Sequence, residues 1–146
     1  MKIERPGMLK AIGNTPMVEV ESLSRATGCR IMAKCEHLNP GGSVKDRPAL
    51  WIVEDAERRG LLKKGGTLIE GSGGNTGIAV AMIAAMKGMK AVLCLPDHAS
   101  QEKQDMISNY NAKIVKCPSV PFSHPDNYYH VAARLAYETD NSLFCN

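Results

Sequence analysis

Short apolar runs alternate with amphipathic stretches along this chain, and glycines mark most of the joins. Met17–Val20 reads as a short strand after the turn Gly13-Asn14-Thr15-Pro16. Cys29–Cys35 reads as a second strand, bounded by Gly28. Ser43 is placed to cap a helix running to about Arg59, and Gly60 stops it. Pro48 lies early enough in that helix for its missing N–H to cost little. Glu54, Asp55, Glu57, Arg58 and Arg59 are expected to form the helix's solvated outer face. Thr67–Glu70 is a strand after Lys64-Gly65-Gly66. Asn75–Lys87 is a helix that is apolar nearly all round, which predicts that it is sandwiched against a sheet, and Gly88 ends it. Ala91–Leu95 is a buried strand, and Pro96 follows it. Ser100 is positioned to cap a helix to about Tyr110, before a strand at Ala112–Lys116. A helix at Pro125–Glu138 and a last strand at Ser142–Cys145 complete the pattern. Strands alternating with helices of this length predict an α/β fold, a parallel sheet with helices on both faces. Pro118–Asp126 is the longest irregular stretch and reads as an ordinary surface loop. The sequence shows neither internal repeats nor low-complexity tracts.

Composition narrows the class. A chain of 146 residues with 44% hydrophobic content can build one domain with a real core. The net charge of +3 is small and dispersed, without the basic, aromatic-interleaved cluster of a nucleic-acid binder. Met1–Pro6 is short and charged with no apolar run behind it, and no stretch reaches the roughly 18 apolar residues of a membrane span. The expectation is a cytoplasmic protein with no nucleic-acid or membrane partner. Cys29, Cys35, Cys94, Cys117 and Cys145 form no CxxC pair, so they read as small apolar residues in a reduced compartment. His37, His98, His124 and His130 do not pair at metal-ligand spacing, so no metal is expected.

Two glycine-rich turns carry the chemistry. Each opens a helix: Asn39-Pro-Gly-Gly-Ser-Val-Lys-Asp-Arg47 and Glu70-Gly-Ser-Gly-Gly-Asn-Thr-Gly77. The second turn places bare N–H groups, with Ser72, Asn75 and Thr76, at a helix start on the carboxyl edge of a parallel sheet. Gly71, Gly73, Gly74 and Gly77 are expected to let a ligand approach the backbone. The first turn puts Lys45 in the first turn of its helix, where the positive helix end disfavours the ammonium and frees the amine as nucleophile or base. Asp46 and Arg47 are read as structural, pairing locally or with neighbouring segments. A P-loop is excluded, because Lys45 is followed by Asp46 and is not preceded by glycine. The dinucleotide fingerprint fails by one residue, since Gly71-x-Gly73-x-x-x-Gly77 is too long. Asp97 stands where a ribose-binding acid would, which keeps a nucleotide-binding domain open but leaves the first turn unexplained.

These motifs resemble the β-family (fold type II) of pyridoxal-phosphate enzymes, and within it the cysteine synthase and cystathionine β-synthase family. Ile12-Gly-Asn-Thr-Pro16 is similar to the family's opening I-G-x-T-P. Asn39–Arg47 is similar to its lysine motif N-P-G-G-S-x-K-D-R, and Glu70–Gly77 to its E-P-T-S-G-N-T-G loop. Val120-Pro-Phe122 and Pro125-Asp-Asn-Tyr128 lean towards the cysteine synthase side. The resemblance implies the smaller α/β domain of a tryptophan synthase β-like fold over residues 36–146. Residues 1–35 would partly belong to the larger domain, most of which is absent. It implies pyridoxal 5'-phosphate held covalently on Lys45 as the internal aldimine, with Lys45 also moving the substrate's α-proton. Asn75 would bond the cofactor's phenolic oxygen, and Ser72, Gly73, Asn75 and Thr76 would form the substrate-carboxylate loop. The implied reaction is β-replacement: O-acetylserine (or serine) and sulfide give cysteine, a transferase/lyase step of amino-acid biosynthesis, in a homodimer. Two departures are visible. Gly71 replaces the usual Pro, and Gly73 replaces a Ser, removing a hydroxyl near the substrate. The chain also stops one residue short of the family's N-Q-F glutamine and before its phosphate loop. The expectation is therefore an amino-terminal part that binds cofactor weakly and turns over little alone. A non-catalytic truncated paralogue, binding a small anion or a full-length partner, is the other reading.

Overall fold

The structure is a computed structural model that describes residues 7–146, so the reading of Met1–Pro6 lies outside the described residues. A 3-10 turn, Gly7–Ala11, buries Leu9 completely. Gly13 and Asn14, with φ of 92° and 48°, reverse the chain into strand β1 (Met17–Glu19). Helix α1 (Glu21–Thr27) follows. It buries no residue, so no apolar stripe announced it in the sequence. Gly28 ends it in the left-handed conformation, φ 67°. Strand β2 (Met32–Lys34) is shorter than the Cys29–Cys35 run, because a 3-10 turn, Glu36–Leu38, takes over directly after Cys35. β1 and β2 pair antiparallel as a two-stranded ribbon, Val18 opposite Ala33, separate from the main sheet.

Helix α2 (Asp46–Arg58) begins three residues after the expected Ser43 cap. Ser43 Oγ accepts the Lys45 N–H at 3.2 Å and caps no helical N–H further in. Lys45 is thus the residue before the helix, not a member of its first turn. Ala49, Leu50, Val53 and Ala56 form the buried stripe. Glu54 corrects the outer-face reading: it is buried, because it lies four residues after Leu50 on the edge of that stripe. Asp55 does face outwards with Arg58 and Arg59, which it pairs. Glu57 reaches Lys87 of the next helix at 2.7 Å.

Strand β3 (Thr67–Glu70), helix α3 (Asn75–Lys87), strand β4 (Lys90–Pro96), helix α4 (Gln101–Ser108), strand β5 (Lys113–Cys117), helix α5 (Tyr128–Glu138) and strand β6 (Ser142–Phe144) complete the chain. The four main strands are all parallel, in the order β5-β4-β3-β6. Their side chains alternate between two cores. Leu68, Leu93 and Leu95 join Leu50, Val53, Ile78, Met82 and Ile107 under α2, α3 and α4. Ile69, Cys94 and Cys117 pack with Ala132 of α5 on the opposite face. Helices therefore cover both faces, as the alternation implied. Ser100 holds the residue before α4, but its side chain makes no cap bond. α5 starts at Tyr128, later than Pro125, because Asn127 Oδ1 takes the Tyr129 N–H at 3.1 Å.

Both α2 and α3 lead through short turns into the amino ends of β3 and β4. Each therefore runs against the strands and starts at their carboxyl edge. That edge is where parallel sheets bind ligands. All five cysteines are free, and burial pushes the Cys94 and Cys145 thiols up to about 12. Among the described residues no helix is long and apolar enough to cross a membrane, and no cluster of three His, Cys, Asp or Glu could hold a metal.

Candidate active site

The first glycine turn is clamped from behind. Glu36 accepts bonds from Arg47 Nε at 2.8 Å and Nη2 at 2.9 Å. Arg47 Nη2 also donates to Thr15 Oγ1 at 2.9 Å, and that hydroxyl donates to Glu36 at 2.6 Å. Asn39 Nδ2 donates to the same carboxylate at 2.9 Å, while its Oδ1 takes the Gly13 N–H at 2.9 Å. A Cβ on Gly13 would meet Arg47 Nη1 at 3.0 Å, so this glycine serves the clamp as well as its φ of 92°. The Ile12–Pro16 motif is thereby tied to the lysine turn, and Arg47 has the pairing role its sequence context suggested. Hydrogen bonds from Arg47, and then from Thr15, hold the Glu36 carboxyl down at about 2.

The sign of the pH effect follows. A carboxyl whose folded value lies below its unfolded one stabilises the fold above the ordinary value near 4.5. That contribution is lost as pH falls from about 4.5 towards about 2. Thermal melts across this window are expected to show a steeper loss of Tm for the wild type than for Glu36→Gln, whose side chain carries no such titration. Parallel pH profiles would remove the clamp's role in acid stability.

The second turn sorts its glycines by job. A Cβ on Gly77 would fall inside the Ser72 carbonyl oxygen, and one on Gly71 would lie 2.9 Å from Tyr129 Cα. A Cβ on Gly73 would lie 3.3 Å from Ala99 Cβ. Packing thus demands Gly71 and Gly77, which the sequence had assigned to ligand approach. Gly74 is the open position: a Cβ there would meet only Ser72 Oγ, at 3.8 Å. Gly74 precedes α3 and offers no side-chain cap, so the N–H groups of Asn75, Thr76 and Gly77 lack a capping side chain. Asn75 is exposed and Thr76 half-buried at this helix start. Ser72 Oγ accepts the Gly74 N–H at 3.3 Å.

A cavity of about 360 Å³ opens beside this turn, lined by Ser72, Gly73 and Gly74 and, across from them, by His98, Ser100 and Lys103. Lys45, Asn75 and Thr76 are not among its lining residues. Asn75 and Thr76 stand next to Gly74, and Lys45 is exposed at the start of α2 on the same sheet edge. The sequence reading placed none of His98, Ser100 and Lys103 at this site. Their signal was position: they follow β4, at the carboxyl edge. Asp97 is exposed at this edge. The Ser119 hydroxyl bonds its carboxylate and holds it below the usual range, and the His98 ring lies 3.8 Å away. Glu70, at the end of β3, is buried with Oε2 unpartnered among the described residues, and burial pushes its carboxyl up.

Comparison with known proteins gives this edge its context. Cysteine synthase 1 of Neurospora crassa is 49% identical over 140 residues, covering 96% of this chain and 37% of that protein. Cystathionine beta-synthase of Rattus norvegicus is 46% identical, over 94% of this chain and 25% of that protein. The chain thus spans about a third or less of these relatives. Among solved structures, O-ureido-L-serine synthase superposes with a TM-score of 0.83 at 40% identity, covering 93% of this chain and 42% of that one. A hydrogen sulfide-producing enzyme from Fusobacterium nucleatum gives 0.84 at 31% identity, over 100% of this chain and 47% of that one. The model of the pyridoxal-phosphate dependent enzymes matches residues 8–146, both glycine turns included, and this chain belongs to that family.

Proposed function

We propose that this chain supplies the lysine and the substrate-carboxylate loop of a β-replacement enzyme that makes cysteine from O-acetylserine or serine and sulfide. The observation carrying it is the uncapped start of α3, with Ser72, Asn75 and Thr76, on the same edge as Lys45. The donor set fits pyridoxal phosphate: an exposed amine, free N–H groups, and open space over Gly74. Lys45 Nζ would hold the cofactor, and Asn75 would orient it by a hydrogen bond. Bound there, pyridoxal phosphate supplies an electron sink for charge at the substrate's α-carbon. Lys45 Nζ takes and returns the proton on that carbon. Ser72 Oγ, Thr76 Oγ1 and the α3 N–H groups bind the carboxylate, which the helix end favours. Residues 36–146 are read as the smaller domain, with residues 1–35 partly belonging to a larger one, in a homodimeric cytoplasmic enzyme.

The chain by itself is expected to bind pyridoxal phosphate weakly and to show little synthase activity, because its grip rests on one lysine, one asparagine and one helix end. Borohydride reduction after incubation with the cofactor should fix one equivalent, and peptide mapping should place it on Lys45. Labelling spread evenly over the surface lysines would sink the assignment.

A further inference from the structure

Asp46 does something unusual for the first residue of a helix. Acids there normally lie in solvent, near the helix's positive end. Asp46 is fully buried, and its side chain folds back over five residues to accept the Gly41 N–H at 2.5 Å. Only a bare glycine permits this, since a Cβ on Gly41 would sit 2.9 Å from Asp46 Cγ. The two adjacent glycines thus differ in purpose. Gly42 is needed for its φ of 80°, and Gly41 is needed for the carboxylate. The ring closed by this bond encloses Gly42 to Lys45. Within it Lys45 N–H bonds Ser43 Oγ at 3.2 Å, and Gly42 N–H reaches out of it to Asn39 O at 2.8 Å.

We propose that Asp46 is a positioning residue: its carboxylate, seated on Gly41, sets the backbone turn from which the Lys45 amine reaches the site. Its importance to the reaction rests on the lysine role given above, whereas its control of the amine's setting does not. Burial pushes this carboxyl above its usual range and leaves Oδ1 without a hydrogen-bond partner among the described residues, while the Gly41 N–H opposes that rise. In the ionised form its bond to Gly41 restricts the turn more tightly than Ser43 alone. Holding a reacting amine in one direction is a direct contribution to rate.

The test reads the amine without requiring the cofactor. Reductive methylation with carbon-13-labelled formaldehyde, followed by NMR, gives the rate and pH profile of each lysine separately. Asp46→Asn keeps the shape and removes the charge. Gly41→Ala displaces the carboxylate and leaves it intact. Asp55→Asn removes a charge from the solvent side of the same helix and serves as the control. In folded protein, checked by circular dichroism, both Asp46→Asn and Gly41→Ala should change the Lys45 rate by at least about fivefold or displace its pH profile. The other lysines, and every lysine in Asp55→Asn, should stay as in the wild type. An unchanged Lys45 profile in either folded variant overturns the proposal, whether or not cofactor binds. A wild-type chain that fails to take pyridoxal phosphate on Lys45, while its methylation still responds to Asp46→Asn, overturns only the functional reading. Should one variant fail to fold, the other decides.

Discussion

Gly77→Ala is expected to lower Tm by about 10 °C, a loss of about 3 kcal/mol. The added methyl has no room. It would overlap the Ser72 carbonyl oxygen and press on Leu93 Cδ1 at 3.4 Å. Neither neighbour yields cheaply, since one is backbone and the other belongs to a fully buried leucine of the central sheet. The turn must therefore lift off α3, and with it go the N–H groups that face the ligand. Loss on this scale is a large share of a small domain's total stability of about 5–15 kcal/mol. Gly74→Ala is the comparison. Its Cβ would meet only Ser72 Oγ, at 3.8 Å, so the cost should stay within about 1 kcal/mol. Differential scanning calorimetry of the two variants separates a packing glycine from an open one. Equal melting temperatures would show that the Ser72 carbonyl can move aside freely.

The largest functional effect is expected at Lys45. Lys45→Ala should abolish the covalent capture of pyridoxal phosphate at this position. Stability should remain within about 0.5 kcal/mol, the usual range for an exposed side chain. The structure gives a reason for the separation. Lys45 is exposed, its side chain makes no cap bond to α2, and among the described residues its amine has no partner. Lys45→Arg sharpens the result, because it retains the charge and loses the nucleophilic amine. Mass spectrometry after borohydride reduction should find no label in either variant. Wild-type labelling in Lys45→Arg would mean that another lysine carries the chemistry.

Elements bounded by strong local signals were legible from residues alone. The strand Thr67–Glu70 and the helix Asn75–Lys87 have the observed ends, because glycine turns and the Gly88 stop define them. α1 was illegible, since a helix with no buried residue leaves no periodic trace. The Ser43 cap failed because a five-residue bond from Asp46 back to Gly41 closes that turn, and no capping rule announces it. Glu54 was misplaced because charge suggested solvent where helical phase put it at the core. For the candidate site, two motifs nominate Lys45, Ser72, Gly73, Asn75 and Thr76. Their supports could not be picked out, as Arg47 meets Thr15 across 32 positions in sequence. The role of Gly71 was blurred for the same reason, since Tyr129, which crowds it, comes from another helix.

The β1–β2 ribbon has a consequence for the molecule's slow motions. Two strands alone are marginal in water, and every residue of β1 is exposed. The ribbon packs little of itself away and relies on the Arg47–Glu36–Thr15 clasp to stay seated. Amide exchange should therefore divide the chain into two populations. Amides of the ribbon ladder exchange through a low-energy local opening, while those of β3 and β4 wait for the whole domain to unfold. The same clasp holds the back of the lysine turn, so the ribbon and that turn share one anchor, and the Arg47 amide of the turn should exchange more slowly than the ribbon ladder.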